Sequence, residues 1–154
     1  RNPLSAIKAI STLKRISRLY DPSRIGRESL LVLLRAGLEA LAIYANHHPV
    51  FHGLFSDFSD ELITFNLAGS EPLGWLSRSS EGVFCAGSKP IEAKPSVELT
   101  FLSQDIAFDG LLRGIDQLGS TASGEVMIQG SIPLMDKIGY VSRMVQRELP
   151  MPAL

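Results

Sequence analysis

Apolar and polar positions follow two different periods along this chain, and the change of period divides it. From residue 4 to 20 the period is helical. Lys8, Ser11, Lys14, Arg15 and Arg18 fall on one face, while Ala9, Ile10, Leu13, Ile16 and Tyr20 fall on the other. Asp21-Pro22 has the chemistry of a helix start, because Asp accepts from free N–H groups and Pro is tolerated in a first turn. The run from Leu30 to Ala45 predicts a largely buried core helix that stops before Pro49. It is short for a membrane span and carries Arg35 and Glu39 at the spacing of a surface ion pair.

Beyond residue 60 the pattern alternates. In "ELITFNLAG", Ile63, Phe65 and Leu67 share one side and Leu62, Thr64 and Asn66 the other. "GWLSRS" (74–79) and "GVFCAG" (82–87) are shorter strand candidates joined by a turn at Ser80-Glu81, and two prolines make "KPIEAKP" (89–95) a loop. "VELTFL" (97–102) alternates again, with Val97, Leu99 and Phe101 on one face. The reading is a run of antiparallel strands and not a set of βαβ repeats.

The helical period then returns. Ser103 is placed to cap and Asp105 lies in the positively polarised first turn; Phe108, Leu111, Leu112 and Ile115 form one stripe. "GSTASG" (119–124) is read as a turn that breaks this helix and leads to a last strand, "EVMIQ". A terminal helix over about 133–148 has the stripe Leu134, Ile138, Val141 and Val145, with Met135 and Met144 alongside.

Composition changes this picture little. With 154 residues, 45% of them hydrophobic, the chain is large enough for one domain with a real core, and a net charge of −1 gives nucleic acid no electrostatic footprint. Charge placement matters more. Up to residue 36, Lys8, Lys14, Arg15, Arg18, Arg24, Arg27 and Arg35 stand against only Asp21 and Glu28, and the remainder is acidic. The 4–20 helix therefore has three readings: a helix lying on anionic lipid through Lys8, Lys14, Arg15 and Arg18, a transit peptide, or a domain helix with its charges in water. The chain opens at Arg1 and not at methionine, which leaves room for an upstream segment.

Candidate chemistry is sparse. His47, His48 and His52 in "HHPVFH" have a ligand-like spacing, but Pro49 interrupts the helix that would bring them to one side. "GVFCAGSK" approaches a phosphate loop with Ser88 and Lys89 in the wrong order. Cys85 has no base near it in sequence and is expected as a buried structural thiol. The acids at Asp105, Asp109 and Asp116 read as a solvated face.

The order of elements is more informative. Strand and helix in "KPSVELTFLSQDIAFDGLLRG", then the glycine-bounded strand "GEVMIQG" and the apolar helix of "SIPLMDKIGYV", resemble the sterol carrier protein family of lipid-binding domains over about residues 25–149. The resemblance implies an α+β fold: a five-stranded, mostly antiparallel sheet covered on one face by helices, here with an extra N-terminal helix. It implies a hydrophobic tunnel between sheet and helices for a sterol, a fatty acyl chain or a lipophilic quinone precursor, some relatives being accessory factors in quinone synthesis. The expected lining is Phe65, Leu99, Phe101, Phe108, Leu111, Leu112, Ile128, Leu134, Met135, Ile138 and Val141, with Met127 and Met144 adapting to ligand shape.

The expectation is thus a non-catalytic lipid-binding domain over 23–154 behind a basic helix over 1–22, with no cofactor, no metal and no nucleic acid. The expected location is cytoplasmic, at a membrane surface, because the C-terminal Pro152-Ala153-Leu154 does not match a peroxisomal tripeptide. Two alternatives stand beside it: a small metal-dependent enzyme using His47, His48 and His52, and an interaction module whose 4–20 helix docks on a protein partner.

Overall fold

The computed structural model describes residues 26–70, 72–113 and 117–148. Two helices, α1 (Arg27–His47) and α2 (Pro49–Leu54), precede the strands β1 (Glu61–Leu67), β2 (Gly74–Arg78), β3 (Phe84–Gly87) and β4 (Val97–Phe101). Helices α3 (Gln104–Arg113) and α4 (Gln117–Ala122), strand β5 (Val126–Gly130) and helix α5 (Ile132–Glu148) follow. The helix expected over 4–20, with Lys8, Lys14, Arg15 and Arg18, lies outside the described residues, as does the start expected at Asp21-Pro22.

Helix α1 is held by packing more than by its ends. Leu30, Leu34, Leu38, Leu41 and Ala45 recur on one face and are buried, whereas Gly26 caps it with no side-chain hydrogen bond. Pro49 disfavours helical backbone at His48, which is extended (φ −93°, ψ 116°), and then opens α2 at its first position. On the wet side Arg35 Nε meets Glu39 Oε1 at 2.9 Å, as the spacing predicts.

The sheet order is β3-β2-β1-β4-β5. Three neighbouring pairs are antiparallel and β1 and β4 are parallel, so the sheet is mostly antiparallel, as expected, though the run of strands is not antiparallel throughout. A parallel neighbour needs a crossover, and the loop from Ser88 to Ser96 supplies one by returning from the end of β3 to the start of β4 on the far side of β1. Trp75 anchors that loop: its Nε1 donates to the Lys89 carbonyl at 2.7 Å. The indole lies across Gly87, where a Cβ would stand 2.4 Å from it.

The turn from β5 into α5 is built on Gly130. Its φ is +109°, and a Cβ there would come within 2.0 Å of the Ser96 carbonyl oxygen, the same oxygen that accepts from the Ser131 N–H at 3.1 Å. Ser131 then caps α5, its Oγ accepting from the Leu134 N–H at 3.4 Å. Ser103 caps α3 in the same way through Ile106 at 3.3 Å.

Three further expectations are corrected. "GSTASG" is mostly helix, not turn: α4 runs through Ala122, and the chain turns at Ser123 and Gly124. One glycine costs a helix only about 1 kcal/mol, which does not decide its fate alone. Cys85 is exposed, not buried, because β3 alternates and turns Phe84 to the helices and Cys85 away from them. Met127 is 53% exposed for the same reason, with Val126 and Ile128 facing inward on either side.

Candidate functional site

One face of the sheet is apolar and the helices close over it. Ile63, Phe65 and Leu67 on β1 stand beside Val97, Leu99 and Phe101 on β4, residue for residue in the parallel register. Leu99 and Phe101 in turn face Ile128 and Val126 on β5. Period-two alternation puts all of these on one side, and the stripes of α1, α3 and α5 cover them.

The side chains expected from sequence to line a ligand site converge here. Phe65, Leu99, Phe101, Phe108, Leu134, Met135, Ile138 and Val141 are buried within a single apolar cluster. Leu111, Ile128 and Met144 are half-buried and pack against it. The side chain of Leu112 lies outside what the structure describes. Met127 does not belong to the layer.

One end of the layer is polar in a way the sequence reading missed. Gly74, Leu76 and Arg78 share the inward face of β2, so Arg78 is carried to the helix side and is 8% exposed. Its Nη1 donates to the Phe58 carbonyl, and its guanidinium carbon lies 5.8 Å from the Phe84 ring centroid. Its Nε is buried without a hydrogen-bond partner. The signal was present in "GWLSR", where the alternation that buries Leu76 also buries Arg78. Close by, Lys137 on α5 lies over the Phe58 ring at 4.6 Å and 3.9 Å from the exposed Asp57 carboxylate.

A second cluster joins the end of α1 to α2 and α5. The rings of Tyr44, His48 and Phe51 are 4.9 to 5.4 Å apart, with Tyr140 on α5 at 6.4 Å from Phe51. The Tyr44 hydroxyl and His48 Nδ1 are buried and have no hydrogen-bond partner. Desolvation first, and then the Glu148 carboxylate, push the Tyr44 phenol up to about 12, although that carboxylate is not placed for a well-formed hydrogen bond.

The histidines do not assemble. His47 is exposed in the last turn of α1, while the His48 ring turns into the aromatic cluster and its backbone N–H closes on the Tyr44 carbonyl at 3.0 Å. The side chain of His52 lies outside what the structure describes. Among the described residues no group of three or more His, Cys, Asp or Glu is close enough together to hold a metal ion. No helix among them is long and apolar enough to cross a membrane.

No family model matches this sequence, and no curated protein sequence matches it. Solved structures match its fold. One is a UbiJ-SCP2 ubiquinone synthesis protein, 18% identical over 73% of this chain and 96% of its own, with a TM-score of 0.55. Another is a conserved hypothetical protein of Thermus thermophilus, described as possibly a sterol carrier protein; it is 13% identical over 71% of this chain and 86% of its own, with a TM-score of 0.51. The five-stranded sheet with one parallel pair, closed on one face by helices, is the sterol carrier protein fold.

Proposed function

We propose that this domain binds a hydrophobic small molecule between its sheet and its helices and passes it to a membrane or an acceptor. The observation that carries the proposal is the meeting of the inward faces of β1, β4 and β5 with those of α3 and α5 in one apolar layer, within a fold shared with sterol-carrier-like domains. Burial of ligand surface would supply the affinity, at roughly 25 cal/mol per Å² before the costs of association. The role proposed is binding without catalysis. The ubiquinone synthesis protein among its structural neighbours makes a lipophilic quinone precursor the first ligand to try, ahead of a sterol or a fatty acyl chain.

The basic residues Lys8, Lys14, Arg15 and Arg18 would hold the domain at anionic lipid, where a ligand could be loaded or released. Native mass spectrometry of the purified protein, with organic extraction of what is bound, tests the central reading. A stoichiometric lipid supports it, and an empty protein that takes up neither a prenylated quinone, a sterol nor a fatty acid sinks it. Removal of residues 1–20 tests the second part. Sedimentation with anionic vesicles should be lost while ligand uptake is kept.

A further inference from the structure

The two edges of the sheet are not alike. At β3 the outward backbone groups of Phe84 are taken by the Asn46 amide, which donates to its carbonyl and accepts from its N–H. At β5 the ladder to β4 uses only every second residue. The Glu125 carbonyl accepts from the Leu102 N–H at 2.9 Å, and the Ser131 N–H donates to the Ser96 carbonyl at 3.1 Å. Alternation turns Met127 and Gln129 to β4 as well, and leaves the N–H and C=O groups of Val126, Ile128 and Gly130 on the free side. Among the described residues no hydrogen-bond partner meets them there.

Nothing in β5 blunts this edge. Val126–Gly130 contains neither a charge nor a proline, the usual guards of an edge strand. Apolar surface gathers beside it instead. Leu102, bonded to Glu125, is 63% exposed; Met127 is exposed on the sheet face turned from the helices, and Ile132 is exposed just past the end of the strand. In a lone chain such an edge is a template for uncontrolled pairing.

The chain itself decides which strand fits. A second copy offers two edges, and Asn46 obstructs the one at β3. Only β5 remains, and β5 is complementary to itself. With a two-fold axis at Ile128, that residue meets its counterpart, and Val126 meets Gly130 of the other copy. Glu125 then stands opposite Ser131 and not opposite a second Glu125, so like charges do not meet. The pair is left with obstructed β3 edges alone and does not grow further.

We propose that this chain self-associates through β5, antiparallel about Ile128, as a closed two-fold dimer with one continuous sheet. The proposal rests on the sheet and not on the ligand reading.

The test follows the full chain by analytical ultracentrifugation over a wide range of protein concentration. The wild type should move with concentration to twice the chain mass. Met127→Lys combined with Gln129→Lys, both at exposed positions, sets like charges across the seam and should hold the protein at one chain mass. Met127→Glu combined with Gln129→Glu should do the same, and an equimolar mixture of the two double variants should regain the doubled mass. In this register Met127 of one copy opposes Gln129 of the other. With Cys85→Ser removing the exposed thiol, a mixture of Met127→Cys and Gln129→Cys should therefore give far more oxidised dimer than either alone. A wild type that stays at one chain mass overturns the proposal. A dimer that survives both charged variants also overturns it, as does a mixture that restores nothing. Circular dichroism reports the folding of each variant, and should the charged ones misfold, the cysteine mixture still decides.

Discussion

The side-chain amide of Asn46 on α1 holds both backbone groups of Phe84 on β3: its Nδ2 donates to the Phe84 carbonyl at 2.8 Å, and its Oδ1 accepts from the Phe84 N–H at 2.7 Å. β3 is an edge of the sheet, so Asn46 takes the place a further strand would occupy and blocks that edge at its start. It also ties α1 to the strand whose Phe84 ring packs on Phe55 at 5.0 Å.

Asn46→Ala should therefore cost about 2 kcal/mol, the loss of two partly buried hydrogen bonds, read as a lower urea midpoint with the slope unchanged. Asn46→Asp keeps the acceptor but sets a carboxylate against the Phe84 carbonyl. It should be at least as damaging at neutral pH and should recover in part as the pH falls through the carboxylate range. Equal stability of wild type and both variants would show that the amide is not holding the edge.

Gly130→Ala should be among the most damaging single methyl additions available in this chain. A Cβ at that position meets the Ser96 backbone at 2.0 Å with φ at +109°, and neither can relax without moving the start of β4. The expected loss exceeds about 3 kcal/mol, or the variant is recovered unfolded. Gly53→Ala, where no atom lies within 4 Å, is the control and should be close to neutral. Circular dichroism during thermal unfolding separates the two.

Adjacent positions on α1 should differ by an order of magnitude. Leu34 is 1% exposed, and Leu34→Ala should cost about 2 to 5 kcal/mol through lost burial and the cavity left behind. Arg35 makes an exposed ion pair with Glu39, and Arg35→Ala should cost at most about 0.5 kcal/mol. Comparable losses at the two sites would mean that packing does not dominate this helix.

Tyr44→Phe removes a buried hydroxyl that has no hydrogen-bond partner, so stability at neutral pH should be unchanged or slightly raised. The wild type should also show an alkaline signature. The unfolded phenol ionises near its ordinary 10.0, whereas the folded one holds its proton to about 12. Stability from this group is thus complete below pH 10.0 and is lost as the pH climbs to about 12. Tyr44→Phe should flatten that limb in chemical denaturation followed against pH, and an unchanged limb would count against the assignment.

Much of the architecture was legible because period alone carries it. The apolar run from Leu30 to Ala45 marks α1, and the alternations in "ELITFNL" and "VELTF" mark β1 and β4 with their inward residues correctly placed. Phe65, Leu99, Phe101, Phe108, Leu134, Met135, Ile138 and Val141 fall in one cluster because a residue on an apolar face has only one core to enter. Arg78 was missed since a charged residue in a strand is ordinarily assigned to water, even where alternation turns it inward with Leu76. Cys85 was misplaced by the opposite habit.

The sequence by itself determined the long helices, the strands and the apolar side of β1 and β4, because these are local consequences of side-chain period and backbone freedom. Only the tertiary structure decided that β4 runs parallel to β1, that Asn46 closes the edge at β3, and that Arg78 stands at the end of an apolar layer with its Nε unpaired. Each of these depends on residues far apart in the chain meeting across the sheet, and no window of neighbouring residues contains both partners.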